Sequence, residues 1–230
     1  DRCLSRGLGD VYKRQPLVNN HKGLLVYEHP IKGNDYIITV DTARGIDHDS
    51  SAFIVFDITT YPYKTVARYK NAEIKPMLFP NIIHDTARAY NEAYVLVEIN
   101  DIGEQVASIM QYDLEYENML MCAMRGRNGQ QVGSGFSGSK TQMGVRMTQA
   151  VKKLGCSNLK TLMEDDKIIT NDYDIIAELT TFVQKKQSWE AEDGCHDDLA
   201  MCLVIFAWLV AQDYFKAVSY THLRAHETSI

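Results

Sequence analysis

The sequence lacks several features that would assign it at once. Its longest apolar run, 199–211, has 13 residues, short of the roughly 20 that a membrane-spanning helix needs. It reads as a buried helix. Cysteine is scarce, with five residues and no CxxC spacing, which excludes a disulfide framework and suits a reduced, cytosolic protein. Cys195, His196 and Cys202 lack the further ligands of a zinc site; Cys122, Cys156 and Cys202 read as small buried hydrophobes. Positive charge is not in excess: Lys+Arg 24 against Asp+Glu 30 gives −6. The whole-chain charge therefore advertises neither nucleic acid nor an anionic membrane. Any attraction for DNA has to come from a local basic groove or from bound cations. No charged start followed by an apolar stretch and a small-residue cleavage site is present, so export is not expected. What remains is ordinary for a globular chain, 45% hydrophobic and 23% charged over 230 residues, enough for one large domain or two small ones.

The ends differ from the middle. Residues 1–15 (DRCLSRGLGDVYKRQ) and 218–230 (VSYTHLRAHETSI) carry neither period-2 nor period-3.6 patterning. Both resemble translated sequencing adapters and are expected to be non-native, leaving 16–217 as the folded domain. A gene cut short in this way makes a missing N-terminal partner domain an expectation.

Between the ends, YIITVD (36–41), SAFIVFD (51–57) and residues 63–69 read as three strands joined by short turns, an antiparallel meander. Residues 80–90 have helical spacing with Pro80 in the first turn. YVLVE (94–98) is a strand buried on both faces. A helix over 103–112 and a strand over 119–124 follow. Residues 126–139 are rich in Gly and Ser and read as a loop or hairpin. The spacing predicts a helix over 141–154 that stops on Gly155, then helices over 158–165, 173–180 and 196–214. No internal repeat is found. This order indicates an α/β fold, a mixed sheet with helices on both faces.

Three of these elements carry a carboxylate at their ends. Asp41 closes the first strand, Glu98 closes the fourth, and Asp197 and Asp198 begin the last helix. An ionised carboxylate beside an apolar core is costly unless paired, and apart from Arg44 no Lys or Arg neighbours them in sequence. A divalent cation is the natural partner, since hard oxygen ligands suit Mg²⁺ or Mn²⁺. In a mixed sheet the first and fourth strands can lie side by side, and the helix dipole favours an Asp pair at its N-terminus. Two ions about 3.5–4 Å apart there would activate a water and stabilise the leaving oxygen of a phosphodiester. Any one of these carboxylates is equally well read as a cap or strand end. Three on separate elements are harder to explain in that way.

VDTARGIDHDSSA (40–52), YVLVEIND (94–101) and GCHDDLAMCLVIFAW (194–208) resemble the nuclease domain of the tailed-phage large terminase subunit. The likeness continues through GVRMTQAVKKLGCSNLKTLMEDDKII (144–169) and ELTTFVQKKQSWEAEDG (178–194). The resemblance implies an RNase H-like fold and an endonuclease that cuts concatemeric double-stranded DNA. In full-length family members that nuclease is joined to an N-terminal packaging ATPase. It places the metal-binding triad on Asp41, Glu98 and the Asp197–Asp198 pair, with Asp197 preferred as the direct ligand, and it marks Asp49 as a further or alternative one. It also implies Mg²⁺ or Mn²⁺, two ions, as cofactor. The implied partners are the small terminase subunit, the portal and other large-subunit copies, with no membrane, in the host bacterial cytoplasm during virion assembly.

The loop GSGFSGSKT (133–141) resembles a phosphate cradle, but Ser139 separates Gly138 from Lys140 and puts both groups out of phase. The better functional reading is a DNA-contacting loop, with Arg125, Arg127, Lys140 and Arg146 as phosphate partners; each of these residues is equally well read as part of a solvated flexible loop. Lys185 and Lys186 either add a second contact or protect the edge of a hairpin. His196 either orients a water or packs the helix start; His48 and His84 read as surface residues.

The leading hypothesis is a metal-dependent DNA endonuclease, with Asp198 or Asp49 helping to place the attacking water. Without metal such a site repels phosphate, so DNA binding should be weak and salt-dependent. The alternative is an RNase H-like DNA-binding or docking module with little cleavage of its own. An ATPase of the actin–hexokinase type needs a second Gly-rich hairpin after Asp41, where the sequence offers only Gly45.

Overall fold

The strongest strand formers of the sequence become neighbours in one sheet. The computed structural model describes residues 22–43, 50–124, 129–133, 141–185, 188–213 and 215. Within it, β2 (Tyr36–Asp41), β3 (Ser51–Asp57) and β4 (Tyr63–Asn71) form the antiparallel meander. α1 (Phe79–Ala89) then carries the chain back to β5 (Tyr94–Val97), which lies parallel to β2 with Val97 opposite Val40. Two short strands, β1 (Leu24–Val26) and β9 (Ile168–Ile169), attach to the outer edge of β4, antiparallel and parallel respectively. The order is β1-β4-β3-β2-β5.

Both faces of the sheet are covered, which is why its strands are apolar almost without interruption. On one side α1 and α2 (Gly103–Ser108), the latter continued by a π-helical turn (Ile109–Asp113), pack on Ile38, Val40, Phe53, Val55 and Tyr69. On the other, α3 (Gln149–Glu164), α4 (Tyr173–Thr181) and α5 (Asp198–Val210) cover Ile37, Ile54, Phe56 and Leu96. α5 is buried along its length from Asp198 to Leu209. Phe206 on α5 stacks on Phe56 with ring centroids 3.9 Å apart; burying one such side chain contributes about 1.5–3 kcal/mol. No helix among the described residues is long and apolar enough to cross a membrane. The mixed sheet with its covering helices is the α/β architecture expected from the sequence.

Several expectations are corrected. The helix predicted to end on Gly155 is instead β8 (Thr141–Met143) followed by α3, and α3 passes straight through Gly155 and absorbs the helix expected over 158–165. The reason lies in packing: a Cβ on Gly155 would sit 2.5 Å from the Val204 carbonyl oxygen of α5. The glycine marks a helix crossing, where nothing larger fits, and not a helix stop. Residues 121–124 form β6 (Met121–Met124), the centre of a small sheet with β8 and β7 (Gln130–Val132). β10 (Phe182–Lys185) and β11 (Ser188–Ala191) make the expected hairpin. His84, expected at the surface, is half-buried with its ring edge-on to Tyr116. The two end segments, His48, Asp49, Arg125, Arg127, Lys140 and Lys186 lie outside the described residues.

Candidate metal centre

Parallel pairing of β2 with β5 fixes the first two carboxylates. Val40 lies opposite Val97, and the Glu98 N–H donates to the Val40 carbonyl at 2.9 Å, so Asp41 and Glu98 leave the sheet side by side at its carboxyl edge. Beyond Glu98 the chain turns tightly into α2. A Cβ on Gly103 would lie 1.8 Å from the Glu98 carbonyl oxygen, so only glycine lets this helix start so close beneath the site. Segment 144–147 runs along the other side of Glu98: Val145 forms a parallel bridge with it, and Asn100 and Met147 exchange two hydrogen bonds.

The third contribution comes from the start of α5. Asp197 occupies the N-cap position, but its carboxylate does not cap the helix. Its Oδ2 accepts from the Ala191 N–H of the β10–β11 hairpin at 3.3 Å. The first-turn amides of Leu199 and Ala200 donate instead to Oε2 of Glu178 on α4, at 2.7 and 3.0 Å. Asp198 is buried; its Oδ1 accepts from the Ser50 N–H at 3.3 Å and its Oδ2 lies 3.0 Å from Lys70 Nζ. The same ammonium stands 2.5 Å from Glu178 Oε1. Sequence reasoning missed both Lys70 and Glu178.

The other three carboxylates all act on Asp41. Burial pushes the Asp41 carboxyl well above the usual carboxylate range, and the carboxylates of Glu98, then Asp198 and Asp197, push it further. Among the described residues no Lys or Arg pairs with Asp41 or Glu98. Glu178 is also raised by its burial, which outweighs the opposing pull of its hydrogen bonds from Lys70 and the Ala200 amide. Burial would lower Lys70, but the Glu178 and Asp198 carboxylates reverse this and hold its ammonium above the ordinary lysine range.

All the donors are hard oxygens on short side chains, the set that suits Mg²⁺ or Mn²⁺. The donors converge without closing: among the described residues no three His, Cys, Asp or Glu side chains are already gathered to hold an ion. The basic residues assigned to DNA are dispersed. Arg146 is exposed, its guanidinium 3.9 Å from Glu104. Lys185 turns back onto Asp193 at 2.7 Å and Glu190 at 3.6 Å within its own hairpin and the loop after it. His196 is exposed, whereas Cys122, Cys156 and Cys202 are buried.

A family described as the terminase RNaseH-like domain matches residues 38–214. Among solved structures, the large terminase nuclease of thermophilic phage G20c with bound magnesium has a TM-score of 0.63 at 20% identity, over 85% of this chain and 90% of that one. The cobalt-bound form of the same nuclease scores 0.62 at 22% identity with the same coverage. The Thermus phage P74-26 large terminase nuclease domain scores 0.59 at 19% identity, again over 85% and 90%. At such identities these structures establish the shared fold, which the family description names RNaseH-like.

Proposed function

The chain belongs to the terminase RNaseH-like domain family, and from that premise we propose that it is a divalent-metal-dependent endonuclease that cuts concatemeric double-stranded DNA during viral genome packaging. The observation that carries this reading is Asp41 leaving the sheet beside Glu98, its carboxyl raised first by burial and then by Glu98, Asp198 and Asp197. Neighbouring carboxylates beside an apolar core are costly to a fold unless a cation joins them. The magnesium and cobalt in the G20c nuclease support a divalent ion.

In this reading Asp41 and Glu98 are the rigid ligands, set by the strand pairing. Asp197 and Asp198 supply the third side from α5, and Asp49 supplies a further oxygen. Ions bound there would lower the pKa of a water and act as Lewis acids toward the scissile phosphate. The protein's task is then to fix its oxygen donors in place and to hold DNA across the carboxyl edge of the sheet. Arg146, exposed beside the bridge at Glu98, is suited to a phosphate contact. Arg125, Arg127, Lys140, Lys185 and Lys186 are assigned the same role, Lys185 after release from its carboxylates. The packaging ATPase, the small subunit, the portal and further large-subunit copies are the proposed partners, in the host cytoplasm during virion assembly.

One observation favours the alternative of a DNA-binding or docking module. The described carboxylates are not gathered as tightly as an ion requires. Nicking of supercoiled plasmid with Mn²⁺, Mg²⁺ or EDTA, beside Asp41→Asn, separates the two readings. Metal-dependent cutting that is lost in the variant, by about 100-fold or more as for removal of a principal catalytic group, is the expected result. No cutting by a folded protein in either metal would leave the docking module.

A further inference from the structure

The strand row that begins at Asp41 leads to a second charged unit. Asp41 on β2 lies opposite Ala52 on β3, and Ala52 lies opposite Lys70 on β4. Residues in register across a sheet share a face, so Asp41, Ala52 and Lys70 point to the same side, with Ala52 between the two charges in the row. α5 lies over that side, tied to β2 by the Thr39 hydroxyl donating to the Cys202 carbonyl at 2.8 Å. Asp198 at the start of α5 thus comes down beside Lys70, whose ammonium is 3.0 Å from Asp198 Oδ2 and 2.5 Å from Glu178 Oε1. The other oxygen of Glu178 takes the amides of Leu199 and Ala200. One ammonium and one carboxylate therefore hold both the side chain of Asp198 and the backbone turn that carries it.

The neighbouring cation on β4 provides the contrast. Arg68 stands two residues earlier on the same face, donates to Asp172 at 2.8 Å and pairs also with Asp174, both at the start of α4. Asp172 caps α4 through the Ile175 amide at 2.9 Å. Arg68 fixes α4 and touches none of the four site carboxylates.

We propose that Lys70 and Glu178 are positioning residues of the metal centre, a fixed ammonium–carboxylate unit that sets Asp198 and the first turn of α5 against Asp41 and Glu98. The inference rests on the metal-centre reading above. It makes a prediction of unusual sign. If Lys70 were only a nearby positive charge, removing it would tighten the binding of a cation, because like charges repel. If it positions Asp198, removing it loosens binding.

Mn²⁺ binding by isothermal titration calorimetry, on the full chain without DNA, tests this directly. Lys70→Met is expected to weaken Mn²⁺ binding by about 10-fold or more, the usual scale for loss of a group that orients a metal ligand. Lys70→Arg should recover most of that loss, Glu178→Gln should weaken binding in the same direction, and Arg68→Met should destabilise the fold without changing Mn²⁺ affinity. Should Lys70→Met fail to fold, Glu178→Gln and Lys70→Arg decide between them. Unchanged or tighter binding in Lys70→Met or Glu178→Gln overturns the proposal, as does an equal loss in Arg68→Met. Absence of Mn²⁺ binding by the wild-type chain overturns the metal-centre reading itself and takes this inference with it.

Discussion

Asp41 illustrates how a single side chain can work against the fold that holds it. Its carboxyl is raised by burial and by three neighbouring carboxylates, so the folded state holds a proton that an unfolded Asp, with a pKa of about 3.9, gives up. A folded-state value above the unfolded one contributes stability that is complete at acid pH and is lost as pH rises through the raised value. In EDTA, the stability difference between wild type and Asp41→Asn should therefore grow from pH 4 upward. At neutral pH the Asn variant should be the more stable protein by roughly 0.5–2 kcal/mol, the usual exchange of activity for stability at a strained site. Urea denaturation across that range checks the sign. A variant less stable than wild type at neutral pH would mean that Asp41 already has a partner. Lys70 and Glu178 belong to the same scale, and Lys70 was open to inspection in the sequence. Arg68 and Lys70 alternate with Ala67 and Tyr69 in a strand otherwise suited to burial, and a cation at such a position calls for a carboxylate. Which carboxylate it finds depends on where α4 lies, and that is tertiary information.

At the scale of elements, Gly155 opposes intrinsic propensity to packing. Alanine in a helix interior is favoured over glycine by about 1 kcal/mol. Here its Cβ would meet the Val204 carbonyl oxygen at 2.5 Å and Val204 Cγ1 at 2.7 Å. Gly155→Ala is accordingly expected to destabilise the protein by about 1–3 kcal/mol, the range for overpacking, against the direction propensity alone predicts; a thermal melt decides it. The same letter marks a helix stop and a helix crossing, which is why the sequence misplaced α3. β2 and β3 were legible to the residue because Tyr36–Val40 and Phe53–Phe56 are unbroken runs of β-branched and aromatic residues. β1, β7, β8 and β9 have two or three residues each, too few for any period, and exist because a neighbouring edge offers hydrogen bonds. The carboxylates at the ends of β2 and β5 were legible for a related reason, since a charge that interrupts an apolar run is visible in one dimension. The capping of α5 by Glu178, from another helix, was not.

For the molecule as a whole, the net charge of −6 and the carboxylate cluster set the terms of contact with DNA. In EDTA a labelled duplex should bind weakly, and a rise in salt from 50 to 200 mM should weaken it further as counterions compete for the few phosphate contacts. A divalent cation should tighten binding by neutralising the cluster. Fluorescence anisotropy over a salt series, with and without metal, measures both effects. Tight binding in EDTA would place the DNA on a surface away from the carboxylates.

Assembly of the site from β2, β5 and the start of α5 also has a consequence for the protein's synthesis. The ribosome releases Asp41 and Glu98 long before Asp197 and Asp198, and α5, apolar on every side, has no stable place until the sheet exists to receive it. A nascent chain therefore carries the proposed ligands of the sheet before those of α5. The nuclease proposed here would thus be armed by the same event that completes its folding.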